Sequence, residues 1–99
     1  MALPKIYAPL ETVEIGGEQI TLRALTRAEQ FQVQKAVKAD IPEDEQEILV
    51  VSLATDVPLD EARDWYGATP TWAVQELLEE IYRMNKLGEE ARAEAQKSG

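Results

Sequence analysis

The chain has no cysteine and no histidine among its 99 residues, and these two absences remove most site chemistry. Without cysteine there is no disulfide framework and no thiolate metal ligand, a composition that fits a reducing compartment. Without histidine there is no imidazole ligand and no Ser-His or Cys-His activation of a nucleophile. Only two serines occur, Ser52 and Ser98, and neither sits in a nucleophile-elbow context. Gly16-Gly17 lacks the spacing and the lysine of a phosphate-cradling loop. Long hydrophobic runs are missing as well. The stretch Ile48 to Val51, with Leu53 and Ala54 close behind, is far short of the roughly 20 residues that span a bilayer. The opening MALPKIYAPLE lacks the apolar segment of a signal peptide, and the expected compartment is the cytosol. No internal repeat is evident.

What is present is ordinary for a folded chain: 44% hydrophobic residues and 29% charged, at a length that builds one modest core. A core of this size leaves stability marginal, so a partner or self-association could supply part of the buried surface. The net charge is -9, unevenly placed. Met1 to Ala39 carries +1, Asp40 to Asp64 carries -8, and Trp65 to Gly99 carries -2. Nucleic-acid affinity rests on lysine and arginine neutralising phosphates, so this balance argues against a DNA or RNA partner. The acidic middle is either a solvated face or a surface for a basic partner. Its residues Asp40, Glu43, Asp44, Glu45 and Glu47 lack the spacing of a calcium loop, and a helix start accounts for them without a metal or cofactor.

Pro4 and Pro9 predict an extended arm over residues 1–11. Thr12 to Ile15 alternates polar and apolar residues, Gly16-Gly17 follows as a turn signal, and Gln19 to Leu25 alternates again, which predicts a hairpin. Val13, Ile15, Ile20, Leu22 and Ala24 fall on its core face, with the register open by one residue at Glu18. Thr26-Arg27-Ala28-Glu29 matches a capping box and predicts a helix that ends near Asp40. Its expected apolar stripe holds Ala28, Phe31 and either Gln32 or Lys35, with Val33, Ala36 and Val37 adjoining. After Pro42, an acidic start followed by ILVVSLA predicts a central core helix running through Thr55, although its β-branched residues also permit a strand. Leu59 to Tyr66 has room for a short helix stopped by Gly67. Thr69-Pro70 then reads as a cap and first residue of a last helix, along which Trp72, Val74, Leu77, Leu78, Ile81, Met84 and Leu87 recur at helical spacing. Glu79 and Arg83 are placed to pair on its wet side. Gly88 closes the packed part, and residues 89–99 form a polar tail without an apolar stripe, expected to fray. The fold expected is α+β: a small single domain over residues 12–88, its N-terminal β-hairpin packed on about four α-helices.

The aromatic residues admit two roles. Trp65 and Tyr66 precede the Gly67 to Pro70 turn and Trp72 follows it, so all three could meet in space. Such side chains dominate interface hot spots and are equally wanted for packing. The residues expected to meet a partner are Trp65, Tyr66, Trp72, Leu77, Ile81, Tyr82 and Met84, because one helix face carries only part of a core.

Taken in order, a proline-bearing lead, the hairpin VEIGGEQITLR, the junction ALTRAEQ, an acidic middle before an apolar helix and a final helix with a polar tail resemble the tail assembly chaperones of long-tailed bacteriophages. The similarity covers roughly Thr12 to Leu87 and is sharpest over Ile20 to Glu29. It implies a non-enzymatic protein of the bacterial host cytoplasm, without a cofactor. Its client would be the long, largely helical tape measure protein, kept soluble until tail tube subunits displace it. It also implies absence from the mature virion, and in many such families a longer form made by ribosomal frameshifting; self-association into oligomers is a further expectation. Other readings of the residues are a structural tail or head-tail connector subunit retained in the virion, and a small acidic inhibitor or antitoxin-like protein that masks a basic partner.

Overall fold

The computed structural model of the chain describes residues 3–4 and 10–85. Over these residues the order is β1 (Leu10–Ile15), β2 (Glu18–Arg23), α1 (Arg27–Lys38), α2 (Glu43–Thr55), α3 (Leu59–Ala68) and α4 (Thr71–Asn85). This is the expected α+β arrangement of an N-terminal antiparallel hairpin and four helices. Leu87, Gly88 and the polar tail lie outside the described residues.

The hairpin register is set by its turn. Gly16 and Gly17 hold φ of 60° and 83°, the two positive values that a tight primed turn requires and that glycine adopts without strain. Glu18 therefore belongs to β2 and pairs with Ile15, and β1 begins at Leu10, two residues ahead of the expected Thr12. The alternation turns Ile15 and Leu22 into the core, with Val13 and Ile20 packed at its margin.

Helix α2 is the centre. It touches α1, α3, α4 and β2, and its buried residues Ile48, Val50, Val51, Ser52 and Ala54 point around most of its circumference. That distribution explains why ILVVSLA has no polar face, and the length of α2 settles helix over strand. Asp56 ends it in the left-handed conformation, and the buried Ser52 hydroxyl donates to the carbonyl of Val57. Helix α4 lays Ala73, Val74, Leu77, Leu78 and Ile81 against the hairpin and α2.

One side chain joins three of these elements. The Arg23 guanidinium at the end of β2 donates to both carboxylate oxygens of Glu29 on α1, each at 2.7 Å, and to both oxygens of Asp56 beyond α2, at 2.7 and 2.8 Å. Glu29 also accepts from the Thr26 amide while the Thr26 hydroxyl accepts from the Glu29 amide, so the capping box and the ion pair share one carboxylate. Asn85, at the end of α4, closes the same corner: it accepts from the Leu25 amide at 2.6 Å and donates to the Ile81 carbonyl. Without that acceptor the part-buried Leu25 amide has no partner among the described residues, so Asn85→Ala is expected to lower stability by about 1–2 kcal/mol in a urea titration.

Three local expectations are corrected. Helix α1 buries no residue; it turns Val33 toward the core and leaves Phe31 exposed, with the Arg27 guanidinium 5.9 Å from the ring centre. The Arg23–Glu29 pair fixes the rotation of α1 with Glu29 facing inward, and Phe31 two positions on then faces out. Second, Gly67 does not stop α3, which runs on to Ala68, while the Thr69 hydroxyl bonds back to the Trp65 carbonyl instead of capping α4. Pro70 precedes the first turn of α4 and its carbonyl accepts from the amides of Ala73 and Val74. Because nothing lies within 4 Å of a Cβ built on Gly67, Gly67→Ala is expected to stabilise the fold by about 0.5 kcal/mol in thermal unfolding. Third, Arg83 pairs with Glu80 and, across to β1, with Glu11, rather than with Glu79.

Candidate functional site

The seven residues expected at a partner surface do not lie together. Leu77 and Ile81 are 1% and 0% exposed and belong to the core; Ile81 offers no surface to a partner, and Leu77 meets the outside only at the floor of a cleft beside Trp65. They occupy the stripe that α4 turns toward the sheet and α2, where a leucine or isoleucine stabilises the fold by leaving water. Trp72 is 57% exposed, and its ring covers the hairpin turn, 3.4 Å from where a Cβ on Gly16 would stand. Tyr66 is half-buried and donates to a Glu47 oxygen on α2 at 2.5 Å; that carboxylate raises the phenol to about 12. Tyr82 is also half-buried, its phenol raised first by burial and then by Glu47 and Glu43. Met84 packs on the edge of the core. Trp65, Tyr66 and Trp72 thus each take a different neighbour: a cleft, an acidic helix start and a glycine turn.

The cleft holds about 340 Å³ between β2, α2, α3 and α4. Its floor is apolar, from Val51, Ala62 and Leu77, and Ile20, Val57 and Trp65 form the walls. Gln19, Thr21, Thr55 and Glu61 supply polar groups. A mainly apolar hollow with a few convergent polar groups is the usual form of a binding site for a side chain or small ligand. Trp65 is the one member of the expected set that lines it as an accessible wall. The remaining walls come from β2, from α2 and from the Asp56 to Pro58 connection, and no spacing in the sequence marks them as neighbours.

The acidic middle is partly engaged within the fold. Glu45 pairs with Arg63 of α3 at 2.6 Å, Glu47 serves Tyr66, and Asp56 serves Arg23. Glu43 and Asp44 remain exposed at the start of α2, where a helix terminus favours negative charge. Among the described residues no three acidic side chains converge as a metal site requires, and no helix is long and apolar enough to cross a membrane.

No protein-family model matches this chain, and no curated protein or solved structure is significantly similar to it. The stretch Ile20 to Glu29 contains the Arg23 fork, the Thr26 cap and the Glu29 carboxylate that join β2 to α1.

Proposed function

We propose that this chain is a non-enzymatic tail assembly chaperone that binds the tape measure protein and keeps it soluble while a phage tail is built. The observation that carries the reading is the unit Ile20 to Glu29, in which the residues of the resemblance are the ones that lock the hairpin onto the first helix. Unpartnered apolar surface adds support. Phe31 and Val37 on α1 and Trp72 on α4 are about half exposed, and the cleft beside Trp65 is open to a client side chain. A soluble acidic body with such surface binds an aggregation-prone helical client while its charge opposes coalescence.

On this reading the protein works in the bacterial host cytoplasm, takes no cofactor and leaves before the virion is complete. Oligomers, and a frameshifted longer form, are further parts of the proposal. Co-expression with the long helical protein encoded downstream tests it. The client is expected to shift from the pellet to the soluble fraction and to co-purify with this chain; an unchanged solubility overturns the proposal. Mass spectrometry of purified particles separates a chaperone, which is absent, from a structural tail or connector subunit, which is present. The acidic-inhibitor reading predicts that reversing the charges of Glu43 and Asp44 abolishes partner binding. The chaperone reading predicts that such a variant still binds.

A further inference from the structure

The hairpin has an unpaired edge that runs along the cleft. In an antiparallel pair joined by two residues, the flanking pair Ile15–Glu18 exchanges both backbone bonds, and bonded pairs alternate with unbonded ones from there. Glu14–Gln19 and Thr12–Thr21 are then the unbonded pairs. The hydroxyls of Thr12 and Thr21, 3.4 Å apart, fit the closer side-chain approach of such a pair. The N–H and C=O of Gln19 and Thr21 therefore turn away from β1, and among the described residues no backbone bond from another element reaches them. Ile20 faces the core while Gln19 and Thr21 face away, yet all three line the cleft, so the cleft follows the edge itself. Glu61 adds a carboxylate, in a chain whose net charge is -9.

We propose that β2 and this cleft form a strand-addition site for an extended basic-apolar polypeptide segment. The segment pairs with the backbone of Gln19 and Thr21, inserts one large apolar side chain between Ile20 and Trp65, and sets a lysine or arginine against Glu61. Free strand-edge groups are matched in alternation only by another extended backbone, which is why the occupant is a peptide and not a compact ligand. A volume of about 340 Å³ accepts one or two large side chains, and the acidic balance selects a basic segment. The site stands apart from the chaperone reading, because it specifies the conformation and charge of what binds and not its origin.

The test uses the full chain with Trp72→Phe, which leaves Trp65 as the reporting indole. The probe is the peptide acetyl-Lys-Val-Lys-Leu-Lys-Val-Lys-amide, followed by fluorescence and calorimetry. Saturable binding is expected, lost when alternate backbone nitrogens of the peptide are methylated and lost when its lysines are replaced by glutamates. Thr21→Pro removes an outward N–H that the hairpin does not use, and is expected to weaken binding by about tenfold or more, while Thr21→Val keeps it. Glu61→Lys, at an exposed position, is expected to weaken binding of the lysine peptide severalfold. Equal binding of the methylated peptide, or no binding of any, overturns the proposal. So does a concentration-dependent dimer that Thr21→Pro dissolves, since the edge would then belong to a second copy.

Discussion

Arg23→Ala is expected to lower the unfolding free energy by about 1.5–3 kcal/mol, the range for losing charge-assisted hydrogen bonds in a part-buried ion pair. The side chains of Arg23 and Glu29 are 20% and 17% exposed, so water replaces the lost donors only in part. Asp56, at 65% exposed, rehydrates and contributes a smaller share. Arg23→Lys recovers less than half, because an ammonium cannot span two carboxylates with a planar fork. The same pair makes stability depend on acidity. Donation from Arg23, and then from the Thr26 amide, lowers Glu29 from its ordinary 4.5 to about 2. A depressed carboxylate stabilises the fold above its unfolded value, and that contribution is lost as pH falls from 4.5 toward 2. Chemical denaturation across this window should show a falling midpoint for the native chain. The slope should flatten in Glu29→Gln.

Ile81→Ala is expected to cost about 2–5 kcal/mol, the range for a fully buried large-to-small change that leaves a cavity. Ile81 has no exposed surface, and it sits where the hairpin, α2 and α4 meet. Trp72→Ala removes a larger side chain, yet should cost less, because more than half of that indole is already in water. The two variants separate folding from contact. If Ile81 lay on a binding face, its loss would weaken client capture with little change in melting temperature. The structure requires the reverse.

Elements set by local chemistry are legible in the sequence: the Gly-Gly turn, the Thr26 to Glu29 box, Pro42 ahead of an acidic helix start, and the apolar spacing of α4. Each depends on residues within a few positions of one another. What sequence spacing missed depends on distant partners. The apolar spacing of α1 alone places Phe31 inward, but Arg23 and Glu29 decide the rotation of α1 from outside. Arg83 has carboxylates within reach on α4 and also at Glu11 of β1, 72 residues away in the chain, and the cross-element geometry selects Glu80 and Glu11. Glycine often ends helices, which makes Gly67 a stop by sequence, whereas here Thr69 holds the last turn of α3. Spacing along α4 does not separate Leu77 and Ile81, which the hairpin and α2 cover, from residues left to a partner, because the area of the hairpin floor has no trace along the chain. The cleft was invisible for the same reason. It is a space between four elements, and its walls share no motif.

The proposed chaperone function is tested by diluting the long helical protein encoded downstream from denaturant into buffer, with and without this chain at equal molar amounts. Light scattering should fall sharply when the chain is present, with a soluble complex recovered by size-exclusion chromatography. Scattering that is unchanged by the chain, with no complex recovered, would contradict the proposed function.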